Sequence, residues 1–434
     1  NTIENTIVKY SGSKIERRKT VKIVERVARV DQSKCVGCKN CERHCPTDAI
    51  KVTPGVMPGY VPPCGTACPA GTDVQGYIAL AGAGRYEDAY RLIRQSNPFP
   101  SVCGRICNHP CQAACNRNDL DESVGIRDIK RFVADKAFEN GMPVVEKKRK
   151  SNGKKIAVIG AGPSGLSCAY YLQLSGYSVE VFESESVAGG VLAYGIPEYR
   201  LPKAVLNRDI QAIEATGVQI HLNTTVGEDV SFDELYKKFH AVYVSTGTQL
   251  SRKANIPGED MPGVYHGLDF LKAVNLGKPV EIGKKVAVIG GGNTAIDAAR
   301  TARRLGAEVT IVYRRQRNDM PCEERELLEA FEEGVRVLDL AAPVEVVGEG
   351  KVQGLKCVRM VPGVKDEKLR RSTTKTEEEF VVEVDNIIVA VSQYSDFPFI
   401  NKDEVVVSKA GRIVLDEKGM SSKPYVFAGG DVVR

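Results

Sequence analysis

A repeated glycine-rich segment constrains the fold of this chain more than any other feature. Gly153-Lys-Lys-Ile-Ala-Val-Ile-Gly160 recurs as Gly283-Lys-Lys-Val-Ala-Val-Ile-Gly290, at an offset of 130 residues that continues without a gap. Each copy has the pattern of an apolar strand, a glycine turn, a helix and a second strand, which opens a dinucleotide-binding domain. The repeat predicts an α/β fold with two doubly wound dinucleotide-binding domains, the second inserted in the first.

The first glycine loop has the pattern needed to bind a nucleotide pyrophosphate. Glycine is required first for the tight turn, then for close approach of the phosphates, and last for helix–strand packing. The phosphates then lie at a helix N-terminus, which favours anions. The next strand ends at an acidic residue, placed to accept hydrogen bonds from ribose hydroxyls. We therefore predict an FAD or NAD site, rather than a merely glycine-rich turn, at Gly160, Gly162, Pro163, Ser164, Gly165 and Glu183.

The second copy differs at the position that contacts the ribose. Tyr313 stands where the first copy has Glu183, and Arg314 and Arg315 follow it. A carboxylate would repel a ribose 2′-phosphate, whereas arginine can bind it bidentately. The second site should therefore prefer NADP(H); the alternative is that the two arginines form a solvated strand end. The predicted NADP(H)-binding residues are Gly290, Gly292, Asn293, Thr294, Arg314 and Arg315.

The cysteines are concentrated towards the N-terminus, since ten of the 13 lie between positions 35 and 115. The first four form the run Cys-x2-Cys-x2-Cys-x3-Cys-Pro, which is the ligand spacing of a bacterial ferredoxin [4Fe–4S] cluster. In two-cluster ferredoxins the fourth cysteine serves the other cluster. Zinc is the competing interpretation, but zinc sites usually pair two separate Cys-x2-Cys units. The spacing favours iron–sulfur.

Six further cysteines extend the metal-binding region. The last four recur every four residues, but Gly104 and Pro110 argue against a continuous helix, so we expect thiolates held by loops. Ten cysteines cannot complete three all-cysteine clusters, so we predict at least two [4Fe–4S] clusters, and a third only with non-cysteine or partner ligands. The predicted ligands are Cys35, Cys38, Cys41, Cys45, Cys64, Cys68, Cys103, Cys107, Cys111 and Cys115.

The overall composition excludes several classes of protein. Hydrophobic residues make up 42% and charged residues 26%, which is typical of a globular chain. The net charge of +5 is too weak a bias to indicate nucleic-acid binding, and no apolar run is long enough for a membrane span. No signal peptide precedes the clustered cysteines, which favours metal-bound thiolates in a reducing, cytoplasmic setting. The first residue is Asn1, so an earlier targeting segment stays open.

From about residue 60 to its end, the chain resembles the small subunit of glutamate synthase. It is also similar to the large subunit of NADPH-dependent, electron-bifurcating ferredoxin:NAD oxidoreductases and to the N-terminal half of dihydropyrimidine dehydrogenase. The matching segments are Cys64-x3-Cys68-Pro, Asn97-Pro-Phe-Pro-Ser-Val-Cys103, Gly189-Gly190-Val-Leu-Ala-Tyr-Gly195, Arg200-Leu-Pro-Lys203, Gly290-Gly-Gly-Asn-Thr-Ala-Ile-Asp297, Val312-Tyr-Arg-Arg315 and Ala428-Gly-Gly-Asp431.

This resemblance implies FAD in the first domain and NADP(H) in the second, with the nicotinamide reaching the flavin between them. It implies that Gly190 and Leu192 lie near the flavin, that Gly247 lies near the domain junction, and that Asp431, next to Gly430, lies on the ribityl chain.

The chain departs from these families in two places. Val391-Ser392-Gln393 stands where they have Gly-Gln, so we expect altered backbone geometry near the flavin or the nucleotide. They also continue past the Gly-Gly-Asp motif into a helix that covers the flavin, whereas this sequence ends at Arg434. We therefore expect a fragment, and an intact mass of the source protein near 47.2 kDa would contradict this.

The domain prediction follows from these motifs. Residues 1–60 form a basic lead-in and a ferredoxin-like [4Fe–4S] module, and residues 61–142 form a helical iron–sulfur domain. A basic linker then leads to the FAD-binding domain, at 154–250 and 384–434, and the NADP(H)-binding domain lies between at 251–383.

The predicted function is that of a flavin-dependent NADPH oxidoreductase subunit, which passes electrons between NADP(H), FAD and the clusters. It would belong to a multisubunit, ferredoxin:NAD(P) redox complex capable of electron bifurcation, with other redox subunits, ferredoxin and an NAD-binding flavoprotein subunit as partners. The cofactors carry the chemistry, so no catalytic side chain is predicted.

Three alternatives stay open. The chain could be the electron-input small subunit of glutamate synthase or of another oxidoreductase, or a structural electron-wire subunit with decayed nucleotide sites. A disulfide reductase would need a cysteine pair beside the flavin, and Cys168, Cys322 and Cys357 are far apart in the sequence.

Overall fold

The computed structural model describes residues 62–141, 148–365, 371–401 and 403–433, together with the backbone of four short strands near the N-terminus. The strand Ile3–Asn5 pairs antiparallel with Val21–Ile23, and Val8–Ser11 pairs antiparallel with Lys14–Arg17. The predicted ligands Cys35, Cys38, Cys41 and Cys45 lie outside the described residues.

The chain divides into two compact units. The first comprises Asn1–Pro100 and His109–Gly141, and the second comprises Ser101–Asn108 and Met142–Arg434. The segment Ser101–Asn108 therefore departs from the predicted helical domain at 61–142. Within the second unit, the backbone N–H groups of Ser101 and Val102 donate to the fully buried carboxylate of Asp209, at 3.0 and 3.1 Å.

From residue 62 onward, the described part of the first unit is helical, as predicted. Asp73 begins one helix by accepting the backbone N–H of Gly76 at 2.8 Å, which satisfies a donor that the helix leaves free. The helical core is closed by the fully buried Tyr77, Ile93 and Val133. The helices of this unit are Pro63–Thr66, Val74–Gly82, Tyr86–Arg94, Pro110–Ala113 and Ile126–Glu139, and Pro100–Ile106 crosses into the second unit.

Two five-stranded parallel sheets form the centre of the second unit, each with helices packed against it. In spatial order the first sheet contains Val426–Ala428, Ala241–Val244, Lys155–Ile159, Ser178–Phe182 and Gln219–His221. The second contains Val264–His266, Asn386–Val389, Lys285–Ile289, Glu308–Tyr313 and Arg336–Asp339. The helices are Pro163–Leu174, Val191–Tyr194, Lys203–Glu214, Phe232–Lys238, Gly267–Asn275, Asn293–Arg304 and Glu324–Glu332.

The sequence repeat is preserved in three dimensions. The strand Lys155–Ile159 corresponds to Lys285–Ile289, and the helix Pro163–Leu174 corresponds to Asn293–Arg304, with every bound shifted by 130 residues. The predicted pair of doubly wound domains is therefore confirmed.

The insertion of the second domain is also visible in the strand order. The strand Val426–Ala428 joins the first sheet only after the chain has completed the second one. Two antiparallel strands, Leu250–Ser251 and Gln393–Tyr394, connect the domains. Because Asn386–Val389 pairs with the second sheet, the return to the first domain comes after this strand and not at the predicted residue 384.

A three-stranded antiparallel sheet, which the sequence did not predict, is added to the inserted domain. It consists of Ala341–Val347, Gly354–Lys365 and Arg371–Glu383. In the part of the chain that the structure describes, no helix combines the length and apolar character required to cross a membrane.

The glycine that packs the first helix onto its strand gives a prediction. A Cβ atom at Gly165 would lie 2.0 Å from the Gly160 carbonyl oxygen, whereas the second copy has Ala295 at the equivalent position. We expect Gly165→Ala to lower the free energy of unfolding by about 1–3 kcal/mol, because overpacking is destabilising. The amount of flavin bound per protein molecule should fall as well. Thermal melting and the flavin-to-protein ratio measure this.

The matched control is Ala295→Gly, which relieves no clash and should cost only about 0.5–1 kcal/mol through helix entropy, with flavin content unchanged. Equal flavin content in Gly165→Ala and wild type would contradict the packing role.

Candidate functional site

The first glycine loop opens onto a cavity of about 540 Å³ at the carboxyl ends of the first sheet's strands. Such crevices are where open α/β sheets bind ligands. Ten of the predicted FAD residues line it: Gly160, Gly162, Pro163, Ser164, Glu183, Gly190, Leu192, Gly247, Gly430 and Asp431. Gly165 lies beneath the loop instead, where its missing side chain permits the contact between helix and strand.

At two positions beside this cavity the surrounding backbone leaves no room for a side chain, and both positions are glycine. Gly160 has a φ of +98°, and a Cβ there would lie 2.7 Å from the Ser245 carbonyl oxygen. Gly190 has a φ of +56°, and a Cβ there would lie 3.0 Å from the Cα of Gly162. Since these conformations favour glycine, the loop can present bare N–H groups to a phosphate.

Glu183 is buried beside the glycine loop and bonded to it. One carboxylate oxygen accepts the N–H of Ala161 at 2.7 Å, and the other accepts the N–H of Glu185 at 2.9 Å. Burial raises the pKa of Glu183, and these backbone donors oppose that rise. The carboxylate therefore fixes the shape of the loop, and its remaining lone pairs can accept hydrogen bonds from ribose hydroxyls.

A second cavity, of about 550 Å³, lies at the other glycine loop. Its lining includes the predicted residues Gly290, Gly292, Thr294, Arg314 and Arg315. The sixth, Asn293, does not line it, because its side-chain oxygen accepts the N–H of Glu323 at 2.8 Å.

The two arginines differ in their surroundings. Arg315 is half-buried, and its Nε donates to the carbonyl oxygen of Arg371 at 2.7 Å, which ties it to the antiparallel sheet. Arg314 is exposed at the cavity wall and makes no ion pair with another described residue. Arg314 is therefore the guanidinium with all its donors available to a phosphate.

The two cavities are adjacent, because the buried Leu268 lines both. Leu268 belongs to the helix Gly267–Asn275 of the inserted domain, and the same helix places Lys272 in the wall of the first cavity. The Lys272 ammonium pairs with Glu185 and lies 5.2 Å from the Tyr194 ring centre. The motifs did not indicate these residues, since their roles depend on contacts distant in sequence.

Buried ion pairs join the two domains near the cavities. Arg200, from the first domain, contacts both carboxylate oxygens of Asp297 at 2.8 and 2.6 Å, and both side chains are at most 11% exposed. Asp297 lies on the helix that begins at the second glycine loop. The contact therefore links that loop to the first domain, which makes removal of one partner costly.

A second arginine extends this network. Arg300, 4% exposed, pairs with Glu326 at 2.6 Å and with Glu333 at 2.7 Å. The Tyr199 ring lies 4.6 Å from the Arg300 guanidinium and 4.0 Å from that of Arg304. No sequence motif indicated this cluster.

At Val391-Ser392-Gln393, where the resembling families have Gly-Gln, the backbone adopts no conformation that requires glycine. Neither Val391 nor Ser392 has a positive φ, and the Ser392 carbonyl accepts the N–H of Arg252 at 2.9 Å. Gln393 then pairs with Ser251 in the connection between the domains. A serine is therefore accommodated here without backbone strain.

Of the six predicted cluster ligands that the structure describes, four lie in the first unit: Cys64, Cys68, Cys111 and Cys115. The short helix carrying Cys64 contacts the short helix carrying Cys111. Burial raises the pKa of Cys64, and the nearby charge of Cys115 raises it further. Cys103 and Cys107 lie on the segment Ser101–Asn108 of the second unit.

Cys68 has an environment that favours a thiolate, the form that binds iron. Burial opposes its ionisation, but the N–H and hydroxyl of Thr72, the N–H of Ala70 and the charge of Lys130 outweigh burial and lower its pKa. Within the described residues no three His, Cys, Asp or Glu side chains gather around one point as ligands of a single ion. A 4Fe–4S cube differs, because each thiolate binds a different iron.

The three remaining cysteines do not form a redox pair. None of the nine described cysteines forms a disulfide bond. Burial raises the pKa of Cys168 to about 12 and those of Cys322 and Cys357 to about 11, which makes them poor nucleophiles. This argues against a disulfide reductase.

Comparison with protein families fits this geometry. The model of the pyridine nucleotide-disulphide oxidoreductase family matches residues 154–434, more than half of the chain. The chain belongs to this family. Two further models match upstream: a 4Fe-4S binding domain at residues 28–51, and the 4Fe-4S domain II of dihydropyrimidine dehydrogenase at residues 57–142.

Three relatives of this chain are informative. The beta subunit of NADP(+)-dependent formate dehydrogenase from Moorella thermoacetica is 42% identical, over 87% of this chain and 57% of that protein. The beta subunit of NADPH-Fe(3+) oxidoreductase from Geobacter sulfurreducens is 41% identical, over 86% and 60%. The glutamate synthase [NADPH] small chain of Escherichia coli is 38% identical, over 86% and 84%. The chain thus spans less than two-thirds of the first two.

A solved structure confirms the fold of the family in this chain. Mycobacterium tuberculosis FprA in complex with NADPH matches with a TM-score of 0.57, over 66% of this chain and 79% of that chain, at 20% identity. Membership of the family confirms FAD and NADP as cofactors, and the two upstream matches confirm at least two 4Fe–4S clusters.

The buried ion pair between the domains gives a second prediction. Arg200→Gln leaves the Asp297 carboxylate buried without its partner, which should lower the free energy of unfolding by about 3–5 kcal/mol. Reduction of bound flavin by NADPH should slow in parallel, because the second glycine loop loses its link to the first domain. Chemical denaturation and stopped-flow absorbance measure the two effects.

Arg304→Gln is the control, since Arg304 is half exposed and its pair with Glu333 should be worth less than about 1 kcal/mol. The double variant Arg200→Met with Asp297→Leu removes both charges and should recover much of the lost stability. An Arg200→Gln protein as stable as Arg304→Gln would contradict the prediction.

Proposed function

We propose that this chain transfers electrons between NADP(H), FAD and 4Fe–4S clusters as one subunit of a larger redox complex. The observation that carries the proposal is that the two nucleotide cavities share the Leu268 side chain, on a polypeptide that also matches two 4Fe-4S models. When bound, FAD would supply the exchange between two-electron hydride chemistry and one-electron chemistry.

In the first cavity, the residues of the chain bind and orient. The N–H groups of the glycine loop are proposed to bind the pyrophosphate, and Glu183 to accept the ribose hydroxyls. Gly190, Leu192 and Gly247 are proposed to lie against the flavin, and Asp431 on the ribityl chain. The cavity lining that these residues share supports the assignment.

In the second cavity, the glycine loop is proposed to bind the pyrophosphate of NADP(H), and Arg314 to bind the 2′-phosphate. The exposure of Arg314 at the cavity wall supports this role. Arg315 is proposed to add positive charge at the same end of the cavity, while its side chain stays bonded to the antiparallel sheet. The buried Leu268 and its helix would keep water out of the space where the two cavities meet.

The iron–sulfur ligands are proposed to be the ten clustered cysteines. The four in residues 35–45 coincide with the 4Fe-4S binding match, and the six from Cys64 to Cys115 fall within the match at residues 57–142. The backbone donors around Cys68, which lower the pKa of its thiol from the ordinary value, support its role as a ligand.

The partners are proposed to be other redox subunits, ferredoxin and an NAD-binding flavoprotein subunit, in the cytoplasm. The names of the first two relatives, each a beta subunit, support an assembly. A second candidate function is electron input into glutamate synthase, which the coverage of 84% of the Escherichia coli small chain favours. The additional 4Fe-4S match at residues 28–51 favours the larger complex.

An anaerobic NADPH titration of the purified complex tests the proposal. Flavin and cluster absorbance should both bleach, and ferredoxin and NAD are then added separately and together. Reduction of ferredoxin only in the presence of NAD would indicate bifurcation, whereas reduction of either acceptor alone would indicate simple electron transfer. Cluster absorbance that does not respond to NADPH would refute the electron path.

The choice of NADPH over NADH gives a third prediction. Hydrogen bonds to charged groups are worth about 1.5–3 kcal/mol, so Arg314→Gln should raise the KM for NADPH roughly 10- to 100-fold. The KM for NADH should stay the same, because NADH has no 2′-phosphate. Steady-state reduction of an artificial acceptor measures both constants.

Arg317→Gln is the matched control, since this exposed arginine follows the same strand but does not line the cavity. Equal changes in the KM for NADPH and for NADH in Arg314→Gln would show that Arg314 does not bind the 2′-phosphate.

A further inference from the structure

The wall of the first cavity is acidic. Among the described residues that line it, four carry a carboxylate and one carries a positive charge. The carboxylates belong to Glu183, Glu185, Asp269 and Asp431, and the single cation is Lys272. FAD would add the two negative charges of its pyrophosphate to this wall. Because like charges repel strongly in a partly buried cavity, the one cation there is electrostatically important.

Lys272 reaches this cavity from the inserted domain. It lies on the helix Gly267–Asn275, which also provides Leu268 to both cavities. At the end of the same helix, the side-chain N–H of Asn275 donates to the backbone carbonyl of Tyr194 at 2.8 Å. The helix is therefore attached to the first domain beside the cavity that Lys272 lines.

Two neighbours hold the Lys272 ammonium at the cavity wall. It pairs with the Glu185 carboxylate and lies 5.2 Å from the centre of the Tyr194 ring. Tyr194 is buried and its hydroxyl donates to the side-chain carbonyl of Gln249, so the ring is fixed in place. The described residues use one of the three N–H donors of the ammonium, which leaves two for a ligand in the cavity.

We propose that Lys272 binds the pyrophosphate of FAD, so that the inserted domain supplies the cation that the FAD-binding domain lacks in its own cavity wall. The oxidised flavin ring and the adenine are uncharged at neutral pH, which makes the pyrophosphate the anionic part of the cofactor. Lysine binds phosphate as a point charge and needs no bidentate geometry. This inference rests on the proposed assignment of FAD to the first cavity, and it makes FAD retention depend on the position of the inserted domain.

The test is the release of oxidised FAD from the whole protein after dilution, followed by the recovery of flavin fluorescence. We expect Lys272→Met to release FAD at least about tenfold faster than wild type, because it loses a charge-assisted hydrogen bond to the pyrophosphate. Lys272→Arg keeps the charge and should release FAD at close to the wild-type rate. Lys278→Met is the matched control, since Lys278 follows the same helix but is exposed and does not line the cavity.

Glu185→Gln separates phosphate binding from a purely structural ion pair. If the pair only holds the two domains together, removal of either partner should speed FAD release equally. If Lys272 binds the pyrophosphate, Glu185→Gln frees the ammonium and removes one carboxylate from the wall, so FAD release should be no faster than in wild type. Equal acceleration in Lys272→Met and Glu185→Gln, or no acceleration in Lys272→Met, would overturn the proposal.

A variant that cannot retain FAD is also decisive. If Lys272→Met is isolated without flavin and Lys272→Arg has the wild-type flavin content, the charge is required and the proposal stands; if both are isolated without flavin, the proposal fails. The wild-type protein tests the proposed function separately, since failure of wild type to bind added FAD would refute the assignment of the cavity itself.

Discussion

The buried contact between Arg200 and Asp297 determines how the two dinucleotide-binding domains can work together. The two domains are joined covalently by only two short segments, which pair as Leu250–Ser251 and Gln393–Tyr394. Such a connection alone would allow one domain to rotate on the other. The ion pair fixes the helix that begins at the second glycine loop, and charges at most 11% exposed cannot separate without losing their partners. Together with the Lys272–Glu185 pair, this restraint keeps the two cavities adjacent at Leu268.

Much of the fold was predictable because the backbone conformation of nucleotide-binding turns restricts which residues can occupy them. A positive φ at Gly160 favours glycine, and the glycine recurs 130 residues later as Gly290, which also has a positive φ. The position of Gly165, where a Cβ would meet the Gly160 carbonyl oxygen, holds alanine in the second copy. The predicted FAD residues consequently line one cavity, apart from Gly165, which packs beneath it. The type of sheet followed from the same pattern, since a strand, helix and strand of this length form a parallel pair.

The rest depended on contacts between residues far apart in the chain. Asn386–Val389 is a mainly apolar strand that fits either sheet. The sequence alone therefore could not decide whether the chain returns to the first domain before this strand, at residue 384, or after it. Asn293 belongs to the glycine-loop motif, yet its amide serves Glu323 instead of the cavity. Lys272 lies on the inserted domain but lines the cavity of the first domain. No local pattern distinguishes such a lysine from a solvated one.

Buried positive charge in the inserted domain is neutralised by the protein itself. Arg300 is surrounded by the carboxylates of Glu326 and Glu333, which specifies one packing geometry. Glu326 also pairs with Arg200 at 3.0 Å, so one carboxylate links Arg300 to the contact between the two dinucleotide-binding domains. Because Arg200 contacts Asp297 as well, the network holds the helix Asn293–Arg304, which begins at the second glycine loop, against the first of these domains.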